Sequence, residues 1–249
     1  LMPFFIAQKD SIKIFDMMNS TIFTYSIPEF INKGTPIPSS RIQLSEKPFW
    51  SELGVLEHGF VGVSYKPDSP CYLFAENGNK LKNLGTYPET LGTQYTDAEK
   101  INAYRAILTT NGKDRIAVCH FFTDLIDIYD KNGNLIAELH GPDYFATAFK
   151  ESSNAEVIKS IPDPKMYRDA FYSPVGTKKS LFVLYNGKYV NEPGYNLLAQ
   201  EIFVFDWNGK PQEHYKLSEG ISRMVIDEDN RKIYGVSDSP EYHIVEFNY

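Results

Sequence analysis

The sequence predicts an all-β protein, a β-propeller of four-stranded antiparallel blades. Three observations predict it: a strand-and-turn phrase that recurs along the chain, a set of repeat markers, and a composition rich in aromatic and turn residues. The markers are Trp50, Arg105, Arg168 and Arg223, which occupy equivalent positions of successive repeats. Aromatic residues make up 14% of the 249 residues, beside 16 Gly and 15 Pro. This mixture is typical of β-structure that is interrupted by many turns.

The recurring phrase is an apolar strand that ends in an aromatic residue and continues into a polar turn. It occurs at Leu73–Gly78, Ile128–Gly133 and Val204–Gly209, each time with Asn-Gly in the turn. Because Asn-Gly accepts the positive φ angles of a tight hairpin turn, each copy predicts a hairpin. Shorter copies at Ile14–Asp16 and Ile244–Phe247 extend the repeat along the chain.

The register of the repeat divides a single domain, residues 1–249, into five blade units. The units span about residues 1–27, 49–86, 104–140, 167–218 and 221–249. Short four-strand units with tight turns are typical of propeller blades, whereas the alternative is a β-sandwich with accidental internal similarity.

The first and the fifth blade units look incomplete, and the repeat markers predict the position of the first strand of the fourth unit. The first unit lacks its first strand and ends with Thr21–Tyr25, and the fifth lacks its last strand. We therefore expect the chain to be the C-terminal piece of a longer, six-bladed protein. The first strand of the fourth unit is expected at Tyr167–Phe171, with a turn at residues 174–176.

Long connections are expected on one face of the propeller. In a four-stranded blade, the connection between strands two and three and the connection to the next blade lie on the same face. The segments concerned are Pro28–Pro48, Thr90–Asn102, Gly141–Lys165 and Gly187–Ala199. Since long loops on a rigid scaffold commonly carry binding residues, we expect the ligand on this long-loop face.

Candidate ligand-binding residues are charged or aromatic and lie where the inner strands open. They are Trp50, Tyr104, Arg105, Tyr167, Arg168, Asp169 and Arg223. Three guanidiniums around a channel mouth suit a carboxylate or a phosphate, with Asp169 orienting Arg168 and the tyrosines stacking on a sugar ring. The alternatives are that the arginines bridge neighbouring blades or face solvent, and that the tyrosines pack in the core.

Charge and motifs exclude several function classes. Lys and Arg total 25 against 32 Asp and Glu, a net charge of −7, so nucleic acid is not an expected partner. No apolar stretch approaches the ~20 residues of a membrane-spanning helix. The chain has no GxSxG, P-loop or GxGxxG motif, so we expect no cofactor, no metal site and no catalytic residues; the oligomeric state stays open.

The two cysteines carry little information about function. Cys71 and Cys119 lie in apolar strand-like runs without the spacing of metal ligands. Buried free thiols and a disulfide in an oxidising compartment both remain open.

The Asp-x-Asn-Gly turns, the Tyr-Arg strand openings and the ending Ile221–Tyr249 resemble those of the TolB-like six-bladed β-propeller proteins of Gram-negative gut bacteria. The resemblance covers nearly the whole chain and rests on blade patterning. It implies an exported protein, periplasmic or anchored to the outer membrane, often as a lipoprotein. It implies no activity and no site residues, because none is established for this uncharacterised family.

Two function classes remain. The first is a non-catalytic binding or scaffold propeller of the bacterial cell envelope, which holds a protein, peptide or glycan on the long-loop face. The alternative is a metal-dependent lactonase- or lyase-like enzyme acting on a sugar acid or glycan, which needs side chains such as Glu52, Asn102 or Asp169 to converge on a metal. The lack of a catalytic motif favours the first.

Overall fold

The computed structural model describes residues 4–8, 10–33, 37–46, 52–87, 95–151, 160–163 and 165–249. Five small antiparallel sheets form a ring as the blades of a propeller. The prediction of an all-β propeller is therefore confirmed. The division into the five residue ranges of one domain stays a prediction.

Blade 1 has four strands. They are β1 (Phe4–Gln8), β2 (Ser11–Asp16), β3 (Thr21–Ser26) and β4 (Ser40–Gln43), with the helix α1 (Ile27–Lys33) between β3 and β4. β3 pairs with β2 on one side and with β4 on the other, so it is not the outermost strand that the sequence led us to expect. The short β4 has one apolar residue, Ile42, and therefore no alternation that would reveal it.

Blades 2 and 3 follow the predicted pattern. Blade 2 consists of β5 (Leu53–Leu56), β6 (Gly59–Lys66), β7 (Ser69–Phe74) and β8 (Lys80–Leu84). Blade 3 consists of β9 (Ala106–Thr110), β10 (Arg115–His120), β11 (Ile126–Asp130) and β12 (Leu135–Leu139). The helix α2 (Asp97–Ala103) precedes β9 and is fixed by a capping box between Thr96 and Glu99.

Blade 4 differs from the expectation at its first strand. A hairpin of β13 (Phe149–Glu151) and β14 (Ser160–Pro162) leads to β15 (Phe171–Gly176), β16 (Ser180–Tyr185), β17 (Ala199–Asp206) and β18 (Pro211–Ile221). β15 begins at the residue where the strand was expected to end, and its pairing shifts between Tyr172 and Val175. This bulge contains Pro174, which has no amide hydrogen to donate to the ladder, so the predicted turn at residues 174–176 is instead part of β15.

Blade 5 has three strands in the described part of the chain. They are β19 (Arg223–Asp227), β20 (Lys232–Ser237) and β21 (His243–Asn248). β20 lies between the other two and pairs with both.

Three turn glycines show how neighbouring blades approach each other. Gly78, Gly133 and Gly209 have φ angles of +86°, +74° and +85°. A Cβ atom on Gly78 would lie 2.2 Å from the backbone oxygen of Gln43 in β4. Cβ atoms on Gly133 and Gly209 would lie within 3 Å of Leu84 in β8 and Leu139 in β12. The same contact identifies β4 as the outer strand of blade 1.

Antiparallel order places the connections alternately on the two faces. The long-loop face carries the connections that precede each inner strand and those between the second and third strands. They include the connection before β9, described at residues 85–87 and 95–105, and the connection between β16 and β17, residues 186–198. The connection between β12 and β15, called the connection 140–170, is described at residues 140–151, 160–163 and 165–170. The expectation for Pro28–Pro48 is wrong, because this segment contains β4. The described residues between β3 and β4, 27–33 and 37–39, lie on the opposite face.

The apolar core lies between the blades. One cluster joins Ile22 of blade 1, Phe74 of blade 2 and Ile116 of blade 3, and two further clusters join blade 3 to blade 4 and blade 4 to blade 5. Cys71 and Cys119 are buried in this core as free thiols, which excludes the disulfide. Burial raises the pKa of both thiols, so they stay protonated.

Candidate functional site

Three charged residues stand where inner strands open onto the long-loop face. Glu52 directly precedes β5, Arg105 directly precedes β9, and Arg223 is the first residue of β19. Inner strands of neighbouring blades lie next to each other around the ring. We call Glu52, Arg105 and Arg223 the mouth cluster. Trp50, the fourth marker of the sequence repeat, lies outside the described residues.

Glu52 is the carboxyl of the mouth cluster and is a partly buried residue. Its Oε2 accepts a hydrogen bond from the backbone amide of Leu108 in β9, at 2.8 Å. Burial raises the pKa of Glu52 to about 7, although the Leu108 amide and the positive charges of Arg223 and Arg105 act to lower it. The carboxyl therefore changes charge near neutral pH, and both arginines act on it electrostatically.

Both guanidiniums of the mouth cluster belong to exposed residues. Arg223 donates from Nη1 to its neighbour, the carbonyl of Ser222, at 2.9 Å. Within the described part of the chain, the Arg105 side chain makes no hydrogen bond and no ion pair. Guanidinium groups with free donors are suited to bind a planar, negatively charged group through two parallel hydrogen bonds.

Arg168 is placed differently from the other two arginines. It precedes β15 by three residues, and its side chain is 16% exposed. Its Nε donates to the carbonyl of Gly187 at 2.8 Å, and its Nη2 pairs with the carboxylate of Asp143. The guanidinium carbon lies 4.3 Å from the ring centre of Phe145 and 4.9 Å from that of Tyr189. Arg168 thus ties the connection 140–170 to the connection 186–198.

A buried aspartate shapes the first of these connections. Asp124 is fully buried, and its carboxylate accepts hydrogen bonds from the amides of Gly141 (2.7 Å), Asp143 (3.2 Å) and Tyr144 (2.7 Å). A side chain at Gly141 would lie 2.1 Å from Oδ1 of Asp124, so only glycine fits there. This arrangement brings Asp143 within reach of Arg168.

Asp169 and Tyr167 lie on the same face, near the mouth cluster. Asp169 is buried and accepts a hydrogen bond from the hydroxyl of Tyr195, so it holds the connection 186–198 rather than orienting Arg168. Burial raises the pKa of Asp169, against the effect of the Tyr195 hydroxyl. Tyr167 is half-buried, with its ring 4.6 Å from that of Phe122. Burial and the negative charge of Asp169 raise the pKa of Tyr167, whereas the positive charge of Arg105 acts to lower it.

Tyr104 is a core residue. It is 1% exposed, and its ring packs against Tyr87, Tyr95 and His120. Its carbonyl lies 3.1 Å from Nδ1 of His120. The structure therefore favours core packing for Tyr104, whereas the half-buried Tyr167 remains accessible from the long-loop face.

A separate open cavity of about 290 Å³ lies at the rim between blades 4 and 5. Its lining is mostly polar and includes Lys188, Asn196 and Glu219. Within the described residues, no group of three or more His, Cys, Asp or Glu side chains converges as metal ligands would.

The sequence repeat pointed to Arg105 and Arg223 and gave Trp50 as their equivalent in blade 2, which stays a prediction. The residue that directly precedes β5 is Glu52, which was not among the candidate ligand-binding residues. The signal that could have found it is the position: a charged residue immediately before an apolar inner strand.

The sequence profile of a family described as TolB-like 6-blade propeller-like matches residues 2–229. The chain belongs to this family. The family is described as six-bladed, and the described part of this TolB-like chain forms five blades. No curated protein matches the chain. Members of the family are generally periplasmic, and none of the described helices is long and apolar enough to span a membrane.

Proposed function

We propose that this TolB-like propeller is a binding module that holds an acidic group of a peptide or glycan at the mouth of its long-loop face. The observation that carries the proposal is the exposed Arg105 guanidinium, which has no side-chain hydrogen bond or ion pair among the described residues and stands, like the exposed Arg223, where an inner strand begins. Two guanidiniums and one carboxylate leave an excess of positive charge at this point of a chain whose net charge is −7. An anionic ligand group is the natural complement.

The surrounding connections support binding because they are held in place before a ligand arrives. Asp124 fixes one connection, Arg168 ties it to the next, and Tyr195 ties that one to the buried Asp169. A site built on fixed loops loses little conformational entropy when it binds. The half-buried Tyr167 offers an aromatic surface beside Arg105 for a sugar ring or a peptide side chain.

The proposed location is the bacterial cell envelope, as a periplasmic or outer-membrane-anchored protein. The general location of the family supports it. The metal-dependent lactonase- or lyase-like alternative needs a converging set of ligands, for which the described residues give no specific support.

Isothermal titration calorimetry at low ionic strength tests the proposal. Glucuronate is the acidic probe, glucose is its neutral counterpart, and the variants are Arg105→Ala, Arg223→Ala and the double variant. The matched control is Arg115→Ala, because Arg115 opens β10 on the opposite face and pairs with Asp114 at 3.3 Å.

We expect glucuronate to bind the wild type more tightly than glucose does. The double variant is expected to lose at least about tenfold in affinity, since each charged contact contributes more than a neutral one. Arg115→Ala should bind as the wild type does. Equal affinity for glucuronate in the double variant and the wild type would contradict the proposal.

A further inference from the structure

We propose that the cavity at the rim between blades 4 and 5 is a second binding site and that it takes a free amino acid. Its lining brings the ammonium group of Lys188 and the carboxylate of Glu219 to one opening. An amino acid carries the complementary pair, a carboxylate for Lys188 and an ammonium group for Glu219. This rim cavity goes beyond the proposed function, because none of its described lining residues belongs to the mouth cluster.

Three segments that meet on the long-loop face form the rim cavity. They are the connection 186–198, the end of β18 and the connection between β20 and β21. The end of β18 bulges out of its ladder, because Gln200 alone of β17 stands opposite the four residues 217–220. Gln200 and three of these four residues line the cavity. A bulge redirects side chains, and here it places Glu219 in the wall.

Glu219 is held by a histidine of blade 5. Nε2 of His243 lies 2.6 Å from Oε1 of Glu219, and Nδ1 of His243 donates to the carbonyl of Glu241 at 2.7 Å. Oε1 is buried, so the oxygen that remains for a ligand is Oε2. Within the described part of the chain, Oε2 has no hydrogen-bond partner. A carboxylate with one oxygen held and one open is suited to accept from an ammonium group.

Lys188 supplies the opposite charge. It is exposed, and its ammonium group forms no hydrogen bond or ion pair with the residues that the structure describes, Glu219 included. The two charges therefore line one cavity without contacting each other, and a ligand that carries both complementary charges can bridge them. A ligand with a single charge leaves one of the two groups without a partner, so the pair favours an amino acid.

The rest of the lining suits a polar ligand side chain. Asn196 and Gln200 contribute amides, and Ser218 and Ser239 contribute hydroxyls. Leu198 has the one apolar side chain among the described lining residues, if glycine is left aside. The volume of about 290 Å³ is close to the lower end of the range for small-molecule sites. Glutamine is therefore the chosen probe, since its side-chain amide matches this lining.

The experiment compares glutamine with two analogues that each lack one of its charged groups. Glutaramate lacks the ammonium group, 4-aminobutanamide lacks the carboxylate, and glucose is the neutral polyol. Dissociation constants are taken from the NMR signal of the Gly220 amide, which lies in the cavity wall, so binding at the mouth cluster is not counted. The variants are Lys188→Gln and Glu219→Gln. The matched controls are Lys210→Gln and Glu57→Gln, because both residues are exposed and lie in turns on the opposite face.

In the wild type, we expect glutamine to bind about fivefold more tightly than either analogue, since each charged contact is partly exposed to solvent. Lys188→Gln should weaken the binding of glutamine and glutaramate about fivefold and leave that of 4-aminobutanamide unchanged. Glu219→Gln should weaken glutamine and 4-aminobutanamide by the same factor and leave glutaramate unchanged. Both control variants should bind as the wild type does.

This crossed pattern separates two charged contacts from a change in the shape of the cavity. Equal losses for all three ligands in either variant would overturn the inference. Equal affinity of the wild type for glutamine and one of its analogues, or no shift of the Gly220 signal with any of the three, would also overturn it. Binding of glucose in place of glutamine would overturn it in favour of a site for neutral polyols.

Discussion

Arg105 and Arg168 begin from the same sequence context and reach opposite environments. Each follows a tyrosine and stands shortly before the inner strand of its blade. Arg168 pairs with Asp143, donates to the Gly187 carbonyl and packs against two aromatic rings. Arg105 is exposed and has no side-chain partner among the described residues.

The same position of the repeat therefore has two roles, one in holding the loops and one in offering donors to a ligand. A guanidinium that donates from Nε and Nη2 to groups of the fold, as Arg168 does, stabilises the loops and has fewer donors left for a ligand. The exposed Arg105 guanidinium has no acceptor among the residues that the structure describes, so its donors remain open to a ligand. The loops held by Arg168 therefore act as the frame, and the mouth cluster acts as the contact surface.

The largest loss of stability is expected from the substitution of Asp124, the buried carboxyl that holds the connection 140–170. Asp124→Ala leaves the amides of Gly141, Asp143 and Tyr144 without their acceptor, and we expect it to lower the free energy of unfolding by about 4 kcal/mol. Urea unfolding measures the loss, and amide exchange at these three positions should become faster. The exposed Asp238 provides the control variant, Asp238→Ala, with a change below about 0.5 kcal/mol. A similar loss in both variants would contradict the role of Asp124 in holding the connection 140–170.

The next effect concerns the pH dependence of stability. Glu52 titrates near 4.5 without the fold and at about 7 within it. Between these values the folded state keeps a proton that the unfolded state has released, so this stabilising contribution is complete below pH 4.5 and is lost as pH rises to 7. The loss amounts to about 3 kcal/mol.

Glu52→Gln should remove this loss. Urea unfolding of the variant and the wild type at pH 5 and pH 8 gives the difference, which is expected to favour the variant at the higher pH. The same pH dependence in both proteins would show that Glu52 is not the group concerned.

The smallest changes in stability are expected for Arg168→Ala and Arg105→Ala, and they test whether the two arginines differ in role. Arg168→Ala removes hydrogen bonds to two connections, and we expect it to cost about 2 kcal/mol. Arg105→Ala should change the free energy of unfolding by less than about 0.5 kcal/mol, because the residue is exposed and its side chain has no partner in the described part of the chain. Thermal unfolding of the two variants side by side provides the measurement; equal losses would contradict the division into frame and contact surface.

Local patterns predicted most of the blades, because alternating apolar residues and Asn-Gly turns are set by nearby sequence. They missed β4, an exposed strand with one apolar residue, and displaced β15, where Pro174 lies in a bulge. The partners of Arg168 could not be predicted for a different reason. Asp143 reaches it only because Asp124, on another segment, shapes the connection between them. Such contacts between distant parts of the chain leave no local signal.

The most direct test of the central claim is an NMR titration of the arginine Nε–Hε signals with glucuronate. The account predicts that the Arg168 signal is protected from solvent exchange in the free protein and does not change. The Arg105 and Arg223 signals should be unprotected at first and should shift and become protected as glucuronate binds. A shift at Arg168, or glucuronate binding that leaves Arg105 and Arg223 unchanged, would contradict the account.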